Sequence, residues 1–455
     1  MKPRANPGKL AASIVSNTNV NPSTDTSIPI LGPCTFPSPL RSATGDACGR
    51  ARFVPDSARV RYQVEFNTLN DRPPEIVFEK AGPRDRVFFD PSQVRAAIVT
   101  CGGICPGLNN VIRSAFFELH HNYGVSDVLG IRYGYAGLNP AVGELPILLT
   151  TQNVEHIHEV GGTILGSSRG PQPTEVLVDF LLAQGINLLV CVGGDGTLRG
   201  ARDVSLEVIR RGLPIAVVGV PKTIDNDVMY VDRTFGVVTA VEKAREVLDG
   251  AHNEARSAFN GVGLVKVMGR DAGFIAAAAT LASQEVNFTL IPEVPFQLEG
   301  EAGFLPALRR RLEARHHAVV VVAEGAGQSL IPDSSDTKDA SGNIKRADVG
   351  IHLKDKINEY FQRHEVPVDV KYFDPSYLIR SVAANCEDAI LCDQLARHAI
   401  HAGMAGKTNV VIGLMNGVFT HLPIPLVTSQ KRHVDPSGAL WNSVLATTGQ
   451  PRRFE

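Results

Sequence analysis

Two short polar segments of this chain carry the residue types that phosphoryl transfer requires. The first, Gly193–Thr197, reads Gly-Gly-Asp-Gly-Thr and follows the apolar run Asn187–Val192. The second, Pro221–Asp227, reads Pro-Lys-Thr-Ile-Asp-Asn-Asp and follows the apolar run Ile215–Val220. The glycine turn presents backbone N–H groups and a helix N-terminus to an anion, and the second segment supplies two carboxylates, a lysine and a hydroxyl. An ordinary strand-to-helix turn is the alternative for each segment taken alone.

Transfer of a phosphoryl group requires positioned phosphates, positive charge, a metal ion and a proton acceptor. A carboxylate at Asp195 would repel phosphate oxygens unless Mg²⁺ bridged them, so this residue is predicted to bind magnesium. Its structural alternative is to cap a helix that starts at Thr197 or Leu198. The residues expected to let backbone approach the phosphates closely are Gly103, Gly194, Gly196 and Thr197. No Gly-Lys-Ser/Thr follows these glycines, so neither loop is a Walker A motif.

Composition indicates a globular enzyme. The chain has 455 residues, 44% hydrophobic and 20% charged, enough for a large core and two domains. The formal net charge of -2 gives no electrostatic reason to expect nucleic acid or an anionic membrane as a partner. No stretch reaches the roughly 20 apolar residues that a membrane helix requires. The seven scattered cysteines read as free thiols, no secretory signal is recognisable, and we therefore expect a cytoplasmic protein.

Apolar runs typical of buried strands alternate with amphipathic helical stretches from Val94 onward. This alternation predicts an α/β fold built on doubly wound parallel sheets. A helix is expected near Leu198–Arg210, after the glycine turn. Residues up to about Pro55 are poor in apolar side chains, so we expect a mobile arm or one that lies across a neighbouring subunit. The candidate strands are Ala96–Thr100, Val128–Ile131, Leu188–Val192, Ala216–Val220, Gly263–Val267, Ala318–Ala323, Val368–Tyr372 and Val410–Leu414.

Further motifs lie before and after the segments Gly193–Thr197 and Pro221–Asp227 in the chain. Together they make it improbable that these two segments are ordinary strand-to-helix turns. The further motifs are Thr100–Asn110, Gly161–Gly170, Lys266–Gly273, Ala323–Gly325 and Asp374–Arg380. With them, the chain resembles the phosphofructokinase family from roughly Arg95 to Val427. The combination of Gly196 with Lys222 resembles an ATP-using branch nested within the pyrophosphate-using group, also seen in trypanosomal enzymes.

The resemblance implies two Rossmann-like α/β domains with the chain crossing between them. Residues 94–235 with part of 383–455 would bind ATP, and residues 236–382 would bind fructose 6-phosphate. Residues 1–93 would form an N-terminal extension. The implied activity is transfer of phosphate from ATP, with Mg²⁺, to the 1-hydroxyl of fructose 6-phosphate, by a homotetramer or a homodimer.

The same resemblance assigns roles to individual residues. Asp225 would take the proton from the sugar hydroxyl, while Asp227 would support the loop or the waters of the metal. Neither carboxylate is expected to need a raised pKa, because the alcohol loses its proton only as the P–O bond forms. An Asx-type turn built by Asp225 and Asn226 is the structural alternative. The implied donor contacts are Gly103, Arg169, Gly170, Gly194, Asp195, Gly196 and Thr197. The implied sugar-phosphate contacts are Thr223, Ile224, Asp225, Met268, Gly269, Arg270, Glu324, Tyr377, Leu378, Ile379 and Arg380.

Two positions depart from the family pattern. Arg132 stands where many members have a tyrosine near adenine. Gly261 stands where many bacterial relatives supply a substrate arginine from a neighbouring subunit, and Asn260 or residues 257–259 are candidate replacements.

The donor is predicted from two residues that indicate different answers. Relatives that use pyrophosphate usually carry aspartate at the position of Gly196, where its charge would repel the α-phosphate of a nucleotide. Lys222, in contrast, is typical of the pyrophosphate-using branch. Exclusion by charge should outweigh one added cation, so ATP is favoured. The alternatives are a pyrophosphate-dependent enzyme and a non-catalytic sugar-phosphate sensor; NAD and lipid kinases share the glycine turn but lack the other segments.

Overall fold

The structure is a computed structural model that describes residues 24–44, 53–65, 76–332 and 346–455. Its strands are β1 (Phe36–Pro37), β2 (Arg59–Arg61), β3 (Val77–Lys80), β4 (Arg86–Val87), β5 (Arg95–Thr100), β6 (Asp127–Ile131), β7 (Ile147–Leu148), β8 (Leu188–Gly193), β9 (Ala216–Pro221), β10 (Gly261–Val267), β11 (Phe288–Leu290), β12 (His317–Ala323), β13 (Asp369–Phe373), β14 (Val410–Met415) and β15 (Val418–Pro423). Its α-helices are α1 (Leu108–Phe117), α2 (Thr151–Val154), α3 (Thr174–Ala183), α4 (Asp195–Arg210), α5 (Val237–Ser257), α6 (Phe274–Ser283), α7 (Phe304–Arg315), α8 (Val349–Arg363), α9 (Ser376–Arg380), α10 (Cys386–Met404), α11 (Ile424–Val427) and α12 (Ala439–Thr448).

The larger of the two main sheets has nine strands in the order β2-β3-β15-β14-β9-β8-β5-β6-β7. The strands from β14 to β6 run parallel. They are almost wholly apolar because both faces of the sheet are covered by helices. In β5, Ala96 and Ile98 face a core that includes α1 and α10, whereas Ala97 and Val99 face a core that includes α3 and α4. The prediction of a doubly wound parallel sheet is confirmed.

The smaller sheet has four parallel strands in the order β11-β12-β10-β13. Helices α5 and α6 cover one face, and α7 and α8 cover the other. The core under α5 and α6 is continuous with the α1 and α10 side of the larger sheet. The two sheets therefore share one apolar core.

The register of the strands brings the loops of interest together. In the larger sheet Gly193 at the end of β8 lies opposite Pro221 at the end of β9. In the smaller sheet Val267 at the end of β10 lies opposite Ala323 at the end of β12. Because neighbouring parallel strands end level in each sheet, the glycine turn emerges beside the carboxylate loop. Parallel sheets place ligands at this carboxyl end.

All eight predicted strands are present in the structure, with ends that differ by at most a few residues. The sequence did not predict the antiparallel hairpin of β14 and β15, nor the strands β2 and β3 at the edge of the sheet, where β3 pairs with β15 and β2 pairs with β3. These edge strands are short and follow polar segments, so they lack the long apolar run that identified the central strands. No helix in the described parts of the chain is long and apolar enough to span a membrane.

Part of the N-terminal stretch that was predicted to be mobile has defined contacts. Among residues 24–44, the Leu31 N–H donates to the Gly406 carbonyl at 2.8 Å, and β1 pairs with β4. These contacts are made by backbone groups, which composition does not reveal. Residues 1–23 and 45–52 lie outside the described residues, so the prediction of mobility stays a prediction for them.

A cluster of buried charged side chains connects β3 to Lys407 and His421. Glu79 accepts from Arg84 at 2.6 Å and from Lys407 at 2.7 Å, and its Oε1 lies 3.1 Å from His421 Nδ1. Burial would raise the pKa of Glu79, but the hydrogen bonds and charges of His421 and Lys407 lower that pKa far below its usual range. The side chains of Arg84 and Lys407 are only 4% and 6% exposed. Arg84 also pairs with the exposed Asp56 at 2.8 Å, so Lys407 is the cation that depends more on Glu79.

This cluster predicts a large loss of stability on Glu79→Gln, which keeps the shape but removes the charge. Leaving the buried Lys407 without its carboxylate, and Arg84 with only the exposed Asp56, should cost about 3–5 kcal/mol, a fall of several degrees in thermal midpoint by calorimetry. The control is Asp127→Asn, because Asp127 pairs with Arg95 in an ion pair that is about 40% exposed on both sides; it should cost less than about 1 kcal/mol. Equal losses would contradict this account of the cluster.

Candidate active site

The carboxylate loop after β9 is held by its own side chains. Thr223 Oγ1 donates to Asp227 Oδ1 at 2.8 Å and accepts the Asp225 N–H at 3.1 Å. Asn226 adopts the left-handed conformation with φ 57°, which asparagine tolerates, and its Oδ1 accepts the Thr234 N–H at 3.0 Å. Asn226 thus bonds a residue eight positions further on and Asp225 bonds Arg270, so neither side chain builds the Asx-type turn that was the alternative.

Asp225 has one oxygen bonded and one oxygen without a partner. Its Oδ2 accepts the backbone N–H of Arg270 at 3.2 Å. Its Oδ1 is shielded from solvent and has no hydrogen-bond partner among the described residues. Burial, and then the charges of Asp227 and Glu324, raise the pKa of Asp225 to about 7. The sequence-based expectation was that no raised pKa was needed; the structure differs because the carboxyl is desolvated beside other carboxylates.

Asp195 lies in the first turn of α4 instead of preceding the helix. The helix begins at Asp195 with Gly194 as its N-cap and without a side-chain cap, so the predicted start at Thr197 or Leu198 and the capping alternative are both wrong. Its carboxylate is near the positive end of the helix dipole. Burial and the nearby Asp227 raise its pKa, and the charge of Lys431 opposes them.

Two glycines of this turn differ in how much space surrounds them. A Cβ at Gly193 would lie 2.1 Å from Thr197 Oγ1, so only glycine fits there. A Cβ at Gly196 would meet nothing within 4 Å, and this open space is where a ligand could approach. Thr197 is buried, and its carbonyl accepts the Tyr135 hydroxyl at 2.7 Å.

Two cationic side chains, Lys222 and Arg169, lie near Gly103. Lys222 Nζ donates to the Gly103 carbonyl at 2.5 Å, and burial lowers the pKa of Lys222. An Arg169 guanidinium nitrogen lies 3.5 Å from where a Cβ of Gly103 would be. The loop of Arg169 and Gly170 is attached to the first glycine loop, since the Gly102 N–H donates to the Ser168 carbonyl at 3.0 Å. Gly103, Arg169 and Lys222 are thus brought together, as the sequence predicted.

The loops that follow β10 and β12 of the smaller sheet lie near Asp225. Arg270 follows β10 and bonds Asp225 through its backbone. The Glu324 N–H donates to the Val267 carbonyl at 3.0 Å, which places Glu324 at the same strand ends. Burial raises the pKa of Glu324, and the charge of Arg270 opposes this shift. Gly269, with φ 132°, has a backbone conformation that favours glycine.

The predicted substrate-binding residues of α9 differ in their exposure to solvent. Tyr377 and Leu378 are 72% and 71% exposed, whereas Ile379 is buried in the core. The Arg380 guanidinium lies over the Tyr377 ring at 4.5 Å. Ile379, like the buried Ile224, can therefore offer a ligand its backbone but not its side chain.

One charged residue of this site was missed by the sequence analysis. Lys431 Nζ lies 2.6 Å from Asp227, 3.1 Å from Asp271 and 3.6 Å from Asp195. Burial alone would lower the pKa of Lys431, but the three carboxylates outweigh burial and raise it. The surrounding sequence, Ser-Gln-Lys-Arg-His, is typical of a solvated loop and lies beyond the family resemblance, so no local signal identified it.

The carboxylates of this site are better suited to a Mg²⁺ ion that is also bound by substrate phosphates than to a metal ion held by protein side chains alone. Within the described ranges no group of three or more His, Cys, Asp or Glu residues is arranged to hold a metal ion. Mg²⁺ usually keeps several waters and binds one or two carboxylates together with substrate phosphates. Asp195, a single carboxylate at a glycine turn, fits that mode.

Comparison with known proteins agrees with the geometry. Residues 95–403 match the phosphofructokinase family, and the chain belongs to this family. It is 46% identical over 438 residues to the ATP-dependent 6-phosphofructokinase of Borreliella burgdorferi, which covers 95% of this chain and 98% of that protein. It is 42% identical over 440 residues to the ATP-dependent 6-phosphofructokinase of Amycolatopsis methanolica, covering 94% and 96%.

Solved structures with this fold include more distant relatives. The pyrophosphate-dependent phosphofructokinase of Marinobacter aquaeolei matches with a TM-score of 0.64 and 22% identity, covering 75% of this chain and 86% of that one. The counterpart from Nitrosospira multiformis matches with a TM-score of 0.62 and 20% identity, covering 76% and 86%. At this identity the likeness shows the fold alone.

The raised pKa of Asp225 predicts a pH-dependent stability difference. Below about pH 4 the carboxyl is protonated in both the folded and the unfolded chain, whereas above pH 7 the folded chain holds a desolvated charge. Asp225→Asn should therefore gain stability over wild type as the pH rises from about 4 to about 7 and then level off, by about 1–4 kcal/mol at pH 8. Thermal midpoints across this range measure the gain, with the exposed Asp203→Asn as control. A gain that does not change with pH would contradict the assignment.

Proposed function

We propose that this chain is an ATP-dependent 6-phosphofructokinase, which transfers the γ-phosphoryl group of ATP to the 1-hydroxyl of fructose 6-phosphate in glycolysis. The observation that carries the proposal is the shielded Asp225 Oδ1, an acceptor without a partner among the described residues. It lies between phosphate-binding glycine turns on one side and Arg270 and Glu324 on the other. The printed names of relatives at 42–46% identity support the same donor and acceptor.

The proposed mechanism assigns proton acceptance to Asp225. Its raised pKa makes the ionised form a competent base near neutral pH, where proton transfer is most efficient. Arg169 and Lys222 would stabilise negative charge on the phosphates, and Thr223 and Asp227 keep the loop in place. Asp195 is the proposed ligand of Mg²⁺, which when bound would offset the negative charge of the phosphates.

The proposed acceptor contacts come from the smaller sheet and α9. Arg270 and Arg380 carry planar guanidinium groups that suit the 6-phosphate, and Glu324 can accept hydrogen bonds from sugar hydroxyls. The remaining proposed contacts are Thr223, Ile224, Met268, Gly269, Tyr377, Leu378 and Ile379. Tyr377 and Leu378 are exposed in the single chain, so a neighbouring subunit or the substrate itself could cover them. A homotetramer or homodimer, and residence in the cytoplasm, are part of this proposal.

Pyrophosphate is the second candidate donor, because Lys222 is typical of that branch. The open space beside Gly196 favours ATP, since an α-phosphate would have room there and glycine adds no charge of its own. A coupled assay of the purified chain with fructose 6-phosphate and either ATP or pyrophosphate tests the proposal. Comparable kcat/KM for the two donors would overturn the donor assignment, and no turnover with either would favour a non-catalytic sugar-phosphate sensor.

Asp225→Asn should lower kcat by roughly 10²–10⁴, with a smaller change in KM for fructose 6-phosphate. The amide keeps the shape of the carboxylate but cannot take the proton. Steady-state kinetics with ATP measure the effect, and Asp203→Asn is again the control. Near-normal kcat in Asp225→Asn would remove this residue from the role of base.

Gly196→Asp should lose ATP activity by about 10²–10³-fold in kcat/KM, because a carboxylate close to the α-phosphate adds a repulsion of about 4 kcal/mol at an effective dielectric of 20. The matched control is Gly196→Ala, which adds a side chain into open space without charge and should keep most of the activity. Full ATP activity in the aspartate variant, or equal losses in both variants, would contradict selection of the donor by charge.

A further inference from the structure

Lys266 is a buried cation in β10 that the proposed mechanism does not use. Its neighbours Val265 and Val267 face the core under α5 and α6, so Lys266 points to the opposite face of the smaller sheet, where α8 lies. Its Nζ lies 2.7 Å from Asp348 Oδ2 and 2.9 Å from Asp374 Oδ2. Because Asp348 precedes α8 and Asp374 is close before α9, Lys266 joins the starts of two helices.

Both carboxylates also bind the first turn of the helix that follows them. Asp348 Oδ1 accepts two backbone N–H groups of α8, at 2.9 and 3.1 Å. Asp374 Oδ1 accepts the N–H of Ser376 at 3.1 Å and its hydroxyl at 2.6 Å. In each aspartate, one oxygen therefore binds a helix and the other binds Lys266.

The short helix α9 depends on contacts from outside itself. It has only five residues, and its N-cap makes no side-chain hydrogen bond, so its own backbone bonds contribute little stability. Arg380 at its end is a proposed contact of the 6-phosphate. The Nε of Arg380 is shielded from solvent and has no hydrogen-bond partner within the described part of the chain. The place of this guanidinium group thus follows from whatever holds α9.

An ion pair that only stabilises the fold is the alternative role for Lys266. The side chains of Asp348 and Asp374 are 33% and 32% exposed, so water can solvate both carboxylates if the lysine is lost. The two carboxylates are held beside one nitrogen, and they repel each other once its charge is removed. Loss of Lys266 should therefore move the starts of α8 and α9 apart more than it destabilises the whole fold.

We propose that Lys266 is a positioning residue for the sugar phosphate: it holds Asp374 beside Asp348 and so places α9, with Arg380 at its end, on the acceptor side of the site. The link to the 6-phosphate rests on the proposed function. The placement of α9 by Lys266 is a property of the chain without substrates. Lys266 acts through Asp374 and has no proposed contact with either substrate.

Steady-state kinetics with ATP and fructose 6-phosphate test the proposal. Lys266→Met should raise KM for fructose 6-phosphate about tenfold or more, with a smaller change in KM for ATP. Lys266→Arg should stay within about threefold of wild type, because a guanidinium group can donate to two carboxylates. The matched control is Lys407→Met, which removes a buried lysine from the pair with Glu79 and should leave both KM values unchanged.

A second variant separates repulsion from the loss of one contact. Asp374→Asn keeps an oxygen that can accept from Ser376 but removes one of the two facing charges, so it should raise KM for fructose 6-phosphate only about two- to threefold. Lys266→Met combined with Asp374→Asn should resemble Asp374→Asn alone, because the repulsion is gone. Additive losses, an unchanged KM in Lys266→Met, or equal changes in both KM values would contradict the proposal.

A purely electrostatic effect on Glu324 can be distinguished by pH. Burial raises the pKa of Glu324, and the charges of Arg270 and then Lys266 oppose this shift. If Lys266→Met acted only by raising that pKa further, its defect would disappear at about pH 9, where Glu324 is ionised in both proteins. Displacement of α9 should persist there, so a KM for fructose 6-phosphate that returns to the wild-type value would overturn the positioning role.

Hydrogen–deuterium exchange of the chain without substrates needs no turnover. Lys266→Met should speed exchange in the peptide that contains α9 about tenfold or more, and Lys407→Met should leave that peptide unchanged. Unchanged exchange in Lys266→Met would overturn the proposal. If Lys266→Met does not fold, the partly exposed Asp374→Asn should still speed this exchange, and no change there would overturn the proposal equally. Absence of turnover in wild type would refute the proposed function while the exchange result stands.

Discussion

Repulsion among carboxylates at the strand ends is the constraint on which the rest of this site depends. Asp195, Asp227 and Asp271 converge on one ammonium, and Asp225 and Glu324 lie close by with raised pKa values. The chain tolerates this crowding through Lys431, through Arg346, which lies 3.0 Å from Asp271, and through the Arg270 N–H, which donates to Asp225.

The strand register makes that crowding possible. Gly193 and Pro221 end level in one sheet, and Val267 and Ala323 end level in the other. A shift of register by one residue would move the carboxylate loop away from the glycine turn and exchange the two faces of the strand. The shared apolar core between the sheets holds the two sets of strand ends opposite each other. Packing far from the chemistry thus fixes distances within it.

Much of this arrangement could be predicted from the sequence because it is local. An apolar run followed by a polar turn predicts a strand whose loop lies at the carboxyl end of a parallel sheet. The sequence therefore predicted that the loops after β8, β9, β10 and β12 lie near one another. Lys431 was not found, because its partners are more than a hundred residues away in the chain and its neighbours resemble a solvated loop. The edge strands β2 and β3 and the contacts of Leu31 depend on backbone bonds, which any composition can make. The start of α4 was misplaced because glycine replaces a side-chain cap.

The position of β14 has a consequence for synthesis of the chain. β14 lies between β9 and β15 in the interior of the nine-stranded sheet, yet it is made after every strand of the smaller sheet. On the ribosome, the smaller sheet can therefore complete its strand order while β9 still has an unpaired edge. Unpaired edges of apolar strands invite pairing with other chains. The nascent protein thus passes through a stage in which the smaller sheet has all of its strands, while the exposed edge of β9 needs protection until β14 and β15 emerge.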